Sequence, residues 1–297
     1  MTKHIILKIM FTLFLFSALL IIIGCIKHGG HPVIPDDGNN LPTPYYAYVA
    51  DGSGGLCIID TNPLNDARII KTVAMEKDAH YLEIENGKAY VSDDLFSLTI
   101  VDIDPPENAS VTNTFDSGGS SARSFKEIEM LYIADGDSGL QIIDDYPPQY
   151  PMLVKTIDTP GYANSVEVYN GYAFVADSEA GLQIIDIDPV ETSFIAASID
   201  TPGYAWIVHI ENGIAYLADG YVGLQIIDID PPQLAYIVNT VDTPGQARYV
   251  CVLNSYAYVA DYDKGLQVID ISSPQNARIV KSIDTSGEAS CVRVSSP

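Results

Sequence analysis

Gly139-Leu140-Gln141-Ile142-Ile143-Asp144 returns unchanged ending at Asp186 and Asp228, and in relaxed form ending at Asp60, Asp102 and Asp270. Successive closing aspartates are always 42 residues apart, so one supersecondary unit is used six times. The unit spanning residues 163–201 shows what it contains. Ser165-Val166-Glu167-Val168 alternates polar and apolar, and Asn170-Gly171 is the dipeptide of a tight type I′ hairpin. Tyr172 to Asp177 reads as a second strand, Leu182 to Ile187 as a third and Phe194 to Ile199 as a fourth. Asp188-Pro189 stops the third, because proline cannot donate to a ladder. No helical pattern intervenes.

The second and third strands are apolar on both faces, since Phe174 alternates with Val175 and Ile184 adjoins Ile185. Such a sheet must be covered on both sides. Four-stranded sheets covered by copies of themselves around an axis form a propeller. The expected fold is therefore all-β: a six-bladed β-propeller with four antiparallel strands per blade, occupying residues 45–297. The aromatic column Tyr48, Tyr90, Tyr132, Phe174, Tyr216 and Tyr258 becomes packing between blades. The chain enters near Tyr45 on a second strand and ends after a first-strand pattern at 289–295. The ring is thus expected to close by pairing the C-terminal strand with the N-terminal strands.

The chain of 297 residues carries 39 acidic and 15 basic residues, a formal charge of −24. A surface of that sign repels phosphate backbones and anionic lipid and makes nucleic acid an unfavourable partner, while leaving cations, basic proteins and neutral glycans open. Much of the acidity is repetition. Asp51, Asp93, Asp135, Asp177, Asp219 and Asp261 end the second strands, and another six aspartates end the third. A catalytic role needs one copy, not six, so these are read as structural acceptors of turn N–H groups.

Residues 1–8 hold Lys3, His4 and Lys8; Ile9 to Ile23 is then an apolar run of fifteen, with Thr12 and Ser17 its only polar members. This is a signal-peptide pattern, short of the ~20 residues of a spanning helix. Ile22-Ile23-Gly24-Cys25 resembles the bacterial lipobox. The resemblance implies cleavage of residues 1–24, lipidation of Cys25, and an exported protein anchored to the envelope membrane and facing away from the cytoplasm. Residues 25–44, rich in Gly, Pro, Asn and Asp, read as a flexible tether.

Ala-Tyr-Val-Ala-Asp-Gly, Gly-Leu-Gln-Ile-Ile-Asp-Ile and Thr-Pro-Gly-Tyr-Ala together resemble the LVIVD repeat of bacterial and archaeal cell-surface proteins, across all six units. The resemblance implies a surface propeller and transfers no catalytic residue. Two places depart from it: Met75-Glu76-Lys77 replaces Thr-Pro-Gly, and Ser124, Lys126 and Glu129 interrupt the first hairpin of the third unit. Local loss of register is expected at both.

If constant columns build the scaffold, binding belongs to variable columns that meet on one rim. Turns joining second to third strands share that rim with the connections between units. The candidate contact residues there are His80, Phe96, Tyr162, Tyr204, Trp206, Tyr221, Arg248 and Tyr262; Trp, Tyr and Arg are the usual anchors of interfaces. No Ser/His/Asp set, phosphate-cradling loop or zinc spacing is present, so catalytic and metal residues are expected to be none. Asp135-Gly136-Asp137 resembles the start of a calcium loop but lacks the distal Glu. No cofactor is called for, and calcium is the one metal the motif leaves open. Cys57 and Cys291 are expected two strands apart, about 9.5 Å and too far to bridge, whereas Cys251 and Cys291 lie on innermost strands where a bridge stays open.

These features lead to a lipid-anchored, non-catalytic interaction module for an envelope protein or glycan. A propeller hydrolase or lyase on the rim, and a structural subunit of an envelope complex, are the alternatives.

Overall fold

The computed structural model describes residues 46–60, 68–76, 78–85, 87–93, 97–116, 123–127, 130–146, 150–285 and 287–292. The expected signal and tether segments, Cys25 and Phe96 lie outside them. Among the described residues are six antiparallel sheets, each a simple meander. Sheet 1 is Tyr46–Ala50, Leu56–Asp60 and Arg68–Val73; sheet 2 is Ala79–Glu85, Lys88–Asp93, Ser97–Asp102 and Ser110–Asp116. Sheet 3 is Arg123–Glu127, Met130–Ala134, Leu140–Asp144 and Met152–Ile157, and sheet 4 is Ser165–Tyr169, Tyr172–Ala176, Leu182–Asp186 and Phe194–Ile199. Sheet 5 is Ile207–Glu211, Ile214–Ala218, Leu224–Asp228 and Tyr236–Val241; sheet 6 is Tyr249–Leu253, Tyr256–Ala260, Leu266–Asp270 and Arg278–Ile283.

Turn chemistry explains the strand ends. Asn170 and Gly171 take φ of 49° and 79°, the positive pair a type I′ hairpin needs. In sheets 2 to 6 the third strand stops where its closing Asp accepts a backbone N–H two residues on, as in Asp230 N–H to Asp228 Oδ1 at 3.0 Å. Single 3-10 turns follow, at Val190–Thr192 for example, which the strand patterns do not announce.

Five apolar clusters hold the sheets, each lying between two successive sheets and none inside one. Phe174 and Ile184 face sheet 5, while Val175 and Ile185 face sheet 3, and all four are completely buried. Tyr48, Tyr90, Tyr132 and Tyr216 are buried like Phe174, and burial pushes the phenols of Tyr48 and Tyr216 up to about 12.

The two irregular places behave differently. In sheet 2 the first hairpin slips between Ala79 and Tyr81, and Met75 packs into the apolar cluster in place of the usual connection. The first hairpin of sheet 3 keeps full register, contrary to expectation. Phe125 sits opposite Tyr132 and packs on the core, so an apolar anchor holds the register that a Gly turn supplies elsewhere.

The expected closing pair is not seen among the described residues. Sheet 1 has three strands, and residues 287–292 form none. The tail still enters as the first strands of sheets 2, 4, 5 and 6 do. Ala289 pairs with Tyr262 by N–H to carbonyl bonds in both directions, as Ala205 does with Ser178 and Ala247 with Gly220. Cys291 and Val292 then pack on the core of sheet 6. No disulfide joins Cys57, Cys251 and Cys291.

Candidate functional site

The recurrent aspartates and the variable rim occupy the same end of the sheets. Asp177, Asp219 and Asp261 are completely buried, each facing back toward the connection that enters its sheet. Asp219 accepts the Thr201 hydroxyl at 2.8 Å on Oδ1, and the Gly203 N–H at 3.1 Å and the Gln225 side-chain N–H at 2.9 Å on Oδ2. Thr159 and Gly161 serve Asp177 in the same way, and Thr243 and Gly245 serve Asp261. Glycine is required because a Cβ on Gly203 would lie 2.0 Å from the Asp219 carbonyl oxygen. Asp135 is equally buried and accepts from Gln141 at 2.7 Å; Asp51 lies 3.8 Å from the Cys57 thiol; the side chain of Asp93 lies outside the described set.

Burial raises the carboxyls of Asp177, Asp219 and Asp261 above the usual range, against the opposing pull of their hydrogen bonds. A raised folded-state value favours the protonated form, so this contribution to stability grows as pH falls toward the unfolded value of about 4. Asp102 is held low by Lys88, and Asp270 by Ser272, so their contribution is lost only below that range. The thermal midpoint is therefore expected to rise from pH 7 to between roughly 4 and 5 and to fall below it. A midpoint that declines steadily from pH 7 downward in a melt series overturns this assignment.

The glutamines of the repeated hexapeptide are also buried, and the sequence reading passed over them. Gln183, Gln225 and Gln267 each accept a hydroxyl from the outer strand, from Ser198, Thr240 and Ser282, at 2.5 to 2.6 Å. Their spacing signal was present, because each hydroxyl follows its glutamine by fifteen residues.

Above this frame the rim gathers four of the candidate residues. The rings of Tyr204 and Trp206 lie 4.9 Å apart, tilted by 43°. The Arg248 guanidinium is 3.8 Å from the Tyr262 ring centroid and 5.5 Å from that of Trp206, with Nε donating to Gln246 Oε1 at 2.9 Å. The neighbouring Glu288 carboxylate raises the Tyr262 phenol above its ordinary value. Each of these residues comes from the connection or turn of sheet 5 or 6, brought together by the bridges Gly220 to Ala247 and Tyr262 to Ala289. Tyr221 stands at the edge, 77% exposed, and the Trp206 indole nitrogen is shielded with no acceptor.

Tyr162 is half-buried one unit earlier, where its carbonyl accepts the Ser178 hydroxyl. His80 stands at the slipped register of sheet 2, its side chain outside the described set. Gln246 and Glu288 were missed although they occupy the same column as Tyr162 and Tyr204, 42 residues apart. A second feature was missed on the innermost strands. Glu167 accepts the Ile210 N–H at 3.1 Å and lies 3.6 Å from His209 Nδ1, while Ser165 accepts the Val208 N–H. These side chains cap the open edge of the next sheet.

The LVIVD repeat family matches residues 45–63, 78–114, 129–159, 160–193, 202–243 and 244–285, well over half of the chain. The chain belongs to the LVIVD repeat family. The matched stretches of this LVIVD-repeat protein follow the six sheets. No curated protein matches it. Among solved structures it is similar to the Pseudomonas aeruginosa periplasmic gluconolactonase PpgL, with a TM-score of 0.71, 11% identity, and 82% of this chain and 83% of that one covered. A functionally unknown protein from Desulfotomaculum acetoxidans DSM 771 gives 0.66 at 16% identity over 78% and 77%. Saccharomyces cerevisiae Sqt1 gives 0.67 at 7% over 83% and 74%. At these identities the likenesses establish an all-β, propeller-like fold for the LVIVD units.

Proposed function

We propose that this LVIVD-repeat protein is an exported, lipid-anchored β-propeller that serves as a non-catalytic interaction module, binding a protein or glycan of the envelope through its rim. The observation carrying this reading is the Tyr204, Trp206, Arg248 and Tyr262 cluster. It lies in variable columns of the repeat, and its residue types are those that anchor interfaces. Ring closure is part of the proposal: the tail from Ala289 onward completes sheet 1, bringing its three strands to four. The half-buried state of Tyr258, Leu266 and Val268 on the outer face of sheet 6 supports a covering neighbour there. Cys25 holds the domain at the membrane, with the acidic surface discouraging nucleic acid.

A hydrolase or lyase reading has the Glu167 and His209 pair in its favour. Glu167 nevertheless already accepts a backbone N–H of the neighbouring sheet, a scaffold duty, so the interaction reading is preferred. Crosslinking on intact cells tests it. Native protein is expected in the membrane fraction with a defined envelope partner or glycan, Cys25→Ala in the soluble fraction, and Trp206→Ala with Arg248→Ala at the membrane without the partner. Recovery of the same partner by that double variant overturns the rim assignment.

A further inference from the structure

Arg248 differs from the other arginines whose side chains are described. Arg68 and Arg278 each lie 3.8 Å from a carboxylate, of Asp60 and Asp270, the residues opposite them on neighbouring strands. Arg248 is within ion-pair distance of no described carboxylate, in a chain with 39 acidic residues. Its Nε is committed to Gln246 and its plane is laid on Tyr262. What remains is a guanidinium held in place by its neighbours, with its two terminal nitrogens unengaged among the described residues. That is a preorganised fork for a planar carboxylate, with less side-chain freedom left to lose on binding.

Two further features narrow the ligand. The rim backbone is already spoken for, since Gly220 and Ala247, and likewise Tyr262 and Ala289, exchange N–H and carbonyl bonds. A peptide therefore finds no open ladder here to extend. Instead the rim offers ring faces, Tyr204 and Trp206 beside the fork and Tyr221 at its edge, which suit the C–H face of a compact ring. Glu288, close enough to raise the Tyr262 phenol, repels a carboxylate from its own side and offers an acceptor to hydroxyl donors.

Resting on the rim-binding reading above, we propose that Tyr204, Trp206, Arg248 and Tyr262 form a subsite for a carboxylated sugar ring, a hexuronate of an acidic glycan. The carboxylate sits on the Arg248 fork and the ring on the neighbouring aromatic faces. Trp206 is the sole tryptophan of the chain, so intrinsic emission reports on this site alone.

The test is a titration of the soluble Cys25→Ala protein with trigalacturonate and with its fully methyl-esterified form, at moderate salt. Trigalacturonate is expected to shift Trp206 emission saturably and to bind at least about tenfold more tightly than the ester, the worth of one charge-assisted fork. Arg248→Gln is expected to abolish the preference, the acid falling to the affinity of the ester. Equal affinity for acid and ester, no binding of either, a preference that survives Arg248→Gln, or equally tight binding of hexaglutamate each overturns the proposal. If the rim variants lose the envelope partner while no uronate binds, the subsite falls and the rim reading stands.

Discussion

Asp219→Ala is expected to destabilise the protein by about 3 to 5 kcal/mol, because it orphans two buried side-chain donors and one half-buried backbone N–H at once. Thr201 and Gln225 are 3% and 0% exposed, so water does not take over their bonds without opening the junction of sheets 4 and 5. The thermal midpoint should fall on the order of 10 °C. Asp219→Asn keeps the shape and the Oδ1 acceptor but sets an amide against the donors on the Oδ2 side, so it should cost less and remove part of the pH dependence. Equal midpoints for wild type and the alanine variant would falsify the clasp as a source of stability.

Deleting residues 289–297 should have the second large effect. The deletion removes both Ala289 bonds to Tyr262 and the packing of Cys291 and Val292 on sheet 6, on the order of 4 kcal/mol from these contacts alone. In a closed ring it also strips sheet 1 of its innermost strand. Proteolysis should then nick the truncated protein near both Leu56–Asp60 and Leu266–Asp270. Cleavage confined to sheet 6, with sheet 1 as resistant as before, means that the tail completes nothing at the N-terminal end.

Much of this architecture was legible in the residues, and the reason lies in repetition. The boundary at Phe194–Ile199 matches the structure because Asp188-Pro189 and Asp200 bracket it chemically. Repetition also marked Asp177, Asp219 and Asp261 as scaffold, although their partners come from the preceding connection, eighteen residues back, and not from their own turn. Register in sheet 3 was misjudged because a missing glycine was weighed and an apolar residue, Phe125, was not. The rim was half legible. Aromatic members of its columns drew notice, whereas Gln246 and Glu288 are polar residues whose meaning depends on which ring stands beside them. The pairing of Glu167 with the next sheet was hidden for another reason: 43 residues separate it from Ile210, and nothing in one unit refers to its neighbour's edge.

The clasp bears on how such a chain changes length. Its two halves, Thr201 and Asp219, belong to one 42-residue period yet straddle the junction between sheets. An in-frame duplication of one period, wherever the breakpoints fall, regenerates a complete threonine–aspartate pair and a complete glutamine–hydroxyl pair. Local bonding therefore tolerates gain or loss of whole units equally well, so that in the closed ring proposed above the count of six would be set by the angle each wedge turns.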